Sequence, residues 1–297
     1  MAEKTIDIAS PILSRNERLA DQLRQRFNET NTYVINVLSS PGSGKTTTAM
    51  KIAEELRRRG VNSHAVAMDN YFKDVDPKTA PRTPEGELDY ESPLCLDMDL
   101  LDRHFAALSR REPVLIPRFE FARQMRNDSL GTPLKLEKNE IVIFEGIHAL
   151  NDDIAGRHPE TAKLYISARS NVNEGSALRF KGTWMRLVRR AVRDYSFRGT
   201  GVADTMARWA NVRRGEKLYI SPYKNRADIV FDSSLPYEVS VMANYAAPLL
   251  RSVPQDNPRH DELLELIDAF HWFEPIDPKL VAPDSLLREF IGGGSYQ

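Results

Sequence analysis

An α/β protein built on a doubly wound, mostly parallel sheet is the fold this 297-residue sequence predicts, and three observations carry it. Short apolar runs alternate with segments of helical period along the chain. The run Glu140-Ile141-Val142-Ile143-Phe144-Glu145 has only apolar residues between its two acids, as a central parallel strand covered on both faces requires. Finally, Tyr33-Val34-Ile35-Asn36-Val37-Leu38 passes through a glycine loop straight into a helical pattern. In an open sheet of this kind a ligand lies beyond the carboxyl ends of the strands.

The elements follow in order. Residues 12–27 carry Leu13, Leu19, Leu23 and Phe27 on one helical stripe, which predicts a helix packed beside the first strand. After the glycine loop, residues 46–59 predict a helix with Ala49, Ile52, Ala53 and Leu56 inward, Arg57-Arg58-Arg59 near its end and Gly60 to stop it. Ser63-His64-Ala65-Val66-Ala67-Met68 reads as a second buried strand, and residues 73–91, with three prolines and no period, as a long loop. Residues 96–108 return to helix, 163–167 to strand, 171–195 to a long arginine-rich helix and 227–232 to strand. Beyond Tyr245 the pattern is helical, with Leu263, Leu264, Ile267 and Phe270 on one face and a Gly292-Gly293-Gly294 tail. The expected division is a helical segment over 1–30 packing on the core, a main domain over 31–240 and a helical extension of it over 241–297.

Composition narrows the function classes. Apolar content of 41% and charged content of 28% describe an ordinary globular chain. With 41 basic against 42 acidic residues there is no overall field to hold a nucleic acid or an anionic membrane. Cys95 is the single cysteine, so an intrachain disulfide and a cysteine metal cluster are excluded, and the six histidines show no ligand spacing. The N-terminus lacks a signal pattern and no long apolar run suits a membrane span, so a cytoplasmic protein is expected.

The chemistry concentrates in Ser39-Ser40-Pro41-Gly42-Ser43-Gly44-Lys45-Thr46-Thr47. Glycines there let backbone amides turn inward around an oligophosphate, and the following helix adds the positive end of its dipole. Lys45 would neutralise β- and γ-phosphate oxygens and Thr46 would ligate Mg²⁺, with Ser40, Pro41, Gly42, Ser43, Gly44 and Thr47 completing the nucleotide cradle. Ser39 stands where the usual G-x-x-x-x-G-K-[ST] spelling has glycine. Metallochaperone GTPases share this wording, but they need an N-K-x-D element for guanine and the chain has no Asn-Lys pair. The further sensor motifs of motor ATPases are likewise missing. At the end of the second strand, Asp69 would point into the crevice beside the γ-phosphate, placed to take a proton from an acceptor alcohol.

Asp69-Asn70-Tyr71-Phe72, Pro117-Arg118-Phe119-Glu120-Phe121, Phe144-Glu145-Gly146-Ile147-His148-Ala149-Leu150 and Arg186-Leu187-Val188-Arg189-Arg190-Ala191-Val192-Arg193-Asp194 follow the glycine loop in register. In that order, from about Val34 to Asp232, the chain resembles the uridine kinase and phosphoribulokinase family of P-loop NTPase-type folds, with its bacterial uridine kinase-like nucleoside kinases. In some of these the domain is fused to a tRNA-synthetase-like N-terminal region; with roughly thirty residues before the first strand, that region is not expected here. The resemblance implies Asp69 as catalytic base and Thr46, Glu145 and Asp69 around Mg²⁺. It implies Asp89, with Glu91 sharing the role, as the ribose-binding acid, and Asp69, Tyr71, Phe119, Gln124, Arg126 and Arg190 as further contacts to the acceptor. Arg186, Arg190 and Arg193 fall on one helix face with Arg189 beside them, and four cations with Asp194 as the nearest acid would repel one another unless an anion lay across them. The resemblance makes this stretch a lid, over about 181–215, with Arg190 and Arg193 catalytic and Arg198 closing on the nucleotide.

The function implied is ATP- and Mg²⁺-dependent phosphorylation of a nucleoside 5′-hydroxyl. Kinases of other polyols or sugar phosphates, and a nucleotide-binding regulatory module without turnover, are the alternatives. The expected partner is a nucleoside-like small molecule, without nucleic acid or membrane, and homo-oligomerisation stays open. In pyrimidine-specific relatives a tyrosine and a histidine read the base; Phe119 and Gln124 replace them here, so broad base specificity is expected.

Overall fold

The computed structural model describes residues 18, 21, 22, 25, 34–121, 123–257 and 259–296. The expected helix over 12–27, and with it the segment 1–30, lies almost wholly outside the described residues; the four described positions there are helical.

The central sheet has five strands, β1 (Val34–Ser39), β2 (Asn62–Ala67), β7 (Glu140–Gly146), β8 (Ala162–Ser167) and β11 (Ile229–Asp232). Their order is β11-β8-β1-β7-β2, and all four pairings are parallel. β1 is central, buried at every position, and both of its neighbours come from far along the chain, which makes the crossovers needed between parallel strands. On one face, helix α1 (Lys45–Arg58) packs Ala49, Ile52 and Leu56 onto Ile35, Val37, Ile143 and Ile166. On the other, helix α2 (Met98–Ser109) places Leu101, Phe105 and Leu108 against Leu38, Val142 and Phe144. Three small antiparallel pairs decorate the sheet: β3 (Val114–Ile116) with β6 (Thr132–Leu134), β4 (Phe119–Glu120) with β5 (Met125–Arg126), and β9 (Val172–Glu174) with β10 (Ala177–Phe180).

A separate apolar cluster joins α3 (Gly182–Arg198), α4 (Val202–Gly215), α5 (Glu238–Arg251), α6 (His260–Ala269) and α7 (Arg288–Ile291). Leu187, Val241, Leu266, Leu287 and Phe290 are among its fully buried residues. Among the described residues no helix is long and apolar enough to cross a membrane.

Among the described residues, the expected strands and helices from Val34 onward are present with boundaries shifted by one or two residues, with two corrections: β2, expected to be buried, is an edge strand in which only Val66 is buried, and one helix is shorter than expected. Residues 171–195 do not form a single helix: 172–180 is the β9–β10 hairpin, and the helix begins at Gly182. Gly175 at φ 60° makes the hairpin turn, and the Asn171 side chain accepts from the Gly182 amide at 2.9 Å, so the chain reverses before α3 can start. On α6, Leu263 and Leu266 are buried whereas Leu264 is half exposed, so Leu264 leaves the stripe assigned to it. The glycine tail does not trail away, since the Ser295 amide returns to the Pro283 carbonyl at 2.9 Å.

Candidate active site

The glycine loop is shaped by constraints on both sides. Gly42 and Gly44 hold φ of 78° and 74°, a region that a Cβ makes costly. A Cβ on Gly42 would lie 2.8 Å from the Arg186 carbonyl oxygen, so α3 crosses the loop as closely as glycine permits. Arg189 donates to the Gly42 carbonyl (3.3 Å) and Ser233 Oγ to the Ser43 carbonyl (2.7 Å), which ties those carbonyls to protein donors. Helix α1 starts behind Gly44 with neither a capping side chain nor an acid in its first turn. Its unpaired amides and dipole therefore present positive charge, and Ser43 Oγ is buried without a partner among the described residues. An oligophosphate fits that set of donors.

Beneath the loop, Lys45 Nζ lies 2.7 Å from Glu145 Oε2, and Thr46 Oγ1 donates to Glu145 Oε1 at 3.2 Å. Burial alone would lower the Lys45 pKa; Asp69, Glu145 and Glu289 outweigh it and hold the ammonium firmly charged. Burial raises the Glu145 pKa, Lys45 opposes that, and Asp69 adds to it. Thr46 and Glu145 thus form an adjacent pair of oxygen donors with a cation already against one of them. That pair suits Mg²⁺, which keeps its other positions for phosphate oxygens and water. Among the described residues, no three His, Cys, Asp or Glu side chains could hold a metal unaided. Asp69, in the short turn Met68–Tyr71 that leaves β2, has a half-buried side chain with no hydrogen bond or ion pair to a described residue.

A cavity of about 660 Å³ lies between the 73–91 loop, the β4–β5 turn and helices α3 and α4, with Phe72, Phe119, Phe121, Asp89, Glu91 and Arg190 in its wall. Phe72, Phe119 and Phe121 pack edge to face, with centroids 5.2–6.5 Å apart, and give it one aromatic side. Opposite charges gather on the other. Asp89, 4% exposed, is held by Arg214 Nη2 at 2.7 Å and accepts from Tyr219 Oη at 3.0 Å. Glu91 lies within electrostatic reach of both Asp89 and Asp69. Gln124 also lines the cavity, with its backbone at φ 53° and its amide donating to the Phe121 carbonyl at 2.7 Å. Three expected contacts are not in its wall, Asp69 among them, although its charge reaches Glu91. Tyr71 is fully buried in the core with its hydroxyl 2.9 Å from His104 Nδ1, and Arg126 pairs with Asp97 (2.8 Å) and Asp128 (3.0 Å), away from the cavity wall.

Burial pushes the Glu91 carboxyl up to about 7, with Arg190 opposing and Asp89 and Asp69 reinforcing the shift. Its folded pKa exceeds its unfolded one, so the stability it contributes is complete below about pH 4.5 and is lost as pH rises through 7. Glu91→Gln is therefore expected to unfold like the parent at pH 5 and to be more stable at pH 8, by on the order of 1–3 kcal/mol. Urea titrations at the two pH values check this; a variant less stable than the parent at pH 8 would contradict it.

The arginines of α3 do not share one ligand. Arg186, 1% exposed, pairs with Glu216 at 2.8 Å, and Arg189, fully buried, pairs with Glu238 and donates to the Ser233 carbonyl at 3.1 Å. The anions that relieve their repulsion are thus carboxylates of the chain itself. Asp194 meets Arg190 (3.2 Å), Arg193 (3.1 Å) and Arg198 (3.5 Å), one acid among three cations. Arg190 faces the aromatic cavity, whereas Arg186 lines a second cavity of about 620 Å³ with Arg169, Arg213 and Lys217. Glu216 sits in that basic cavity and also accepts from Ser40 Oγ at 2.8 Å, which joins the phosphate loop to α3 and α4.

Glu216, Glu238 and His148 are site residues that pattern reading passed over. His148, 1% exposed, is pushed down to about 4 by burial, with Asp69, Lys45 and Asp89 near it, so it is neutral at pH 7. It stands in the motif segment after Glu145, the one signal that marked it; the two glutamates carry none.

A family model described as "Phosphoribulokinase / Uridine kinase family" matches residues 34–240. Curated relatives include uridine kinases from Geobacillus sp., 28% identical over 198 residues (66% of this chain, 84% of the relative), and from Halobacterium salinarum, 24% identical over 200 residues (67% and 79%). The uridine kinase of Staphylococcus epidermidis is 26% identical over 211 residues (71% and 92%). Among solved structures, a putative fructose transport system kinase from a Silicibacter species superposes with a TM-score of 0.53 at 19% identity, over 73% of this chain and 98% of that one, a likeness of fold.

Proposed function

The chain belongs to the phosphoribulokinase and uridine kinase family of nucleotide-binding kinases, and on that premise we propose that it transfers the γ-phosphoryl group of ATP to the 5′-hydroxyl of a nucleoside. The observation that carries this reading is the Asp69 carboxylate, whose charge reaches Lys45 and Glu145 and also Glu91, an acid in the wall of the aromatic cavity. The relatives named uridine kinase support a nucleoside as acceptor.

Thr46 and Glu145, with Asp69 beside them, would hold Mg²⁺, whose charge would offset that of the phosphates. Within the 31–240 domain, the amides of residues 40–47 and the Lys45 ammonium fix the donor's phosphates. Asp69 accepts the proton of the attacking hydroxyl, and Arg190 and Arg193 neutralise charge on the transferring group from the lid at about 181–215, with Arg198 at the end of α3. Asp89 and Glu91 take the acceptor's vicinal diol. Phe119, with Phe72 and Phe121, stacks on a planar base, and Gln124 can donate to or accept from more than one base edge.

Phenylalanine leaves no buried hydroxyl unpaired when a different base enters, so it lacks the mismatch that gives strong rejection, on the order of 10⁴. The test is kcat/KM for uridine, cytidine, adenosine, guanosine and inosine, with 2′-deoxy analogues and non-nucleoside sugars alongside. Purine nucleosides are expected within about tenfold of uridine. Rejection of every purine would remove the broad-specificity claim, and turnover of sugars alone would favour the polyol-kinase reading.

A further inference from the structure

Residues 284–296 lie outside the family match, yet they pack directly against the phosphate loop and its helix. Lys51 of α1 pairs with Asp284 at 3.0 Å, and a Cβ on Gly44 would meet the Leu286 side chain at 2.7 Å. Thr47 Oγ1, in the first turn of α1, donates to Glu289 Oε2 at 2.7 Å. Glu289 Oε1 also faces Arg193 Nη1 at 3.9 Å, and its charge reaches Lys45. One carboxylate from the far end of the chain therefore sits against the hydroxyl, the guanidinium and the helix N-terminus that would otherwise meet a nucleotide's phosphates.

The backbone that presents it is anchored. Leu287 and Phe290, on either side of Glu289, are fully buried in the helical core, and the Arg189 guanidinium lies 5.2 Å from the Phe290 ring centroid. Withdrawing the whole segment would expose both side chains, each worth about 1.5–3 kcal/mol of burial. The Glu289 side chain is 20% exposed and turns without that cost. Helix α1 has no acid of its own in its first turn, so Glu289 supplies the negative charge that its dipole favours when phosphate is absent.

We infer that Glu289 is a resident anion of the phosphate cradle, which holds the Thr47 hydroxyl, faces Arg193 and competes with the phosphate chain of the nucleotide. This rests on the nucleotide reading of the loop. Its consequence is weaker nucleotide binding and easier loss of the spent nucleotide, since the carboxylate can return to the donors as the phosphates leave.

The experiment is calorimetric titration of the full chain with ADP and Mg²⁺, which requires no turnover. Glu289→Gln keeps the shape and an oxygen for Thr47 but removes the charge, and is expected to bind ADP about tenfold more tightly, the scale of one charge-assisted hydrogen bond. Glu289→Ala is expected to gain at least as much and decides the matter if the glutamine form does not fold. Asp284→Asn, on the same segment but paired with Lys51, is expected to bind as the parent does. ADP binding by the parent with no gain, or a loss, in folded Glu289 variants would overturn the inference alone. A parent that binds no ADP would overturn the cradle reading and the inference with it.

Discussion

Lys45→Ala is expected to lower kcat/KM by about 10³-fold or more while the fold persists. A single preorganised donor aimed at developing charge contributes on the order of 10²–10³ in rate, and Lys45 is a full charge in a part-buried site. Three acids act on it and hold it ionised, so it meets the phosphates as a cation across the working pH range. Removal also leaves Glu145, 5% exposed, without its 2.7 Å counter-ion, and a buried carboxylate stripped of its partner is destabilising. The Glu145 pKa should then rise further as the carboxyl takes up a proton. The check is steady-state kinetics beside circular dichroism and ADP titration. A folded variant with near-parental rates would remove the loop from the mechanism.

Asp69→Asn is expected to reduce kcat by roughly 10²–10⁴, the usual contribution of a positioned base, with little change in the KM for ATP. The substitution keeps the volume and removes the ability to take a proton. Since the Asp69 side chain has no hydrogen-bond or ion-pair partner among the described residues, the exchange breaks no such bond to them, and the defect reports charge and chemistry rather than packing. It should also relieve Glu145 and Glu91, whose carboxyls Asp69 helps to raise. A kcat within a few fold of the parent's would place the base elsewhere.

The sequence was most legible where a local pattern has a local cause. The run 140–145 could be read because a strand covered on both faces favours apolar side chains throughout, and it is β7, with six consecutive buried residues, 141–146. The glycine loop was readable because its backbone geometry demands glycine at 42 and 44. Residues 171–195 read as one helix because arginines and apolar residues at helical spacing run through most of the segment, although Asn173-Glu174-Gly175-Ser176 inside it carries a turn signal. The partners of the α3 arginines were beyond reach for another reason. Glu216 lies 30 residues from Arg186 and Glu238 lies 49 from Arg189, separations at which no periodicity survives. The extreme case is Glu289, 242 residues from Thr47. Tyr71 and Arg126 show the converse: a motif fixes a residue's place along the chain, but packing against His104 and pairing with Asp97 decide where its side chain goes.

Within the nucleoside panel, uridine against 5′-deoxyuridine tests the central claim most directly. With ATP and Mg²⁺, phosphorus NMR and mass spectrometry of the products are expected to show uridine 5′-monophosphate and stoichiometric ADP from uridine, and no phosphorylated product from 5′-deoxyuridine. A phosphorylated product from 5′-deoxyuridine, or no nucleoside monophosphate from any nucleoside of the panel, would contradict transfer to the 5′-hydroxyl.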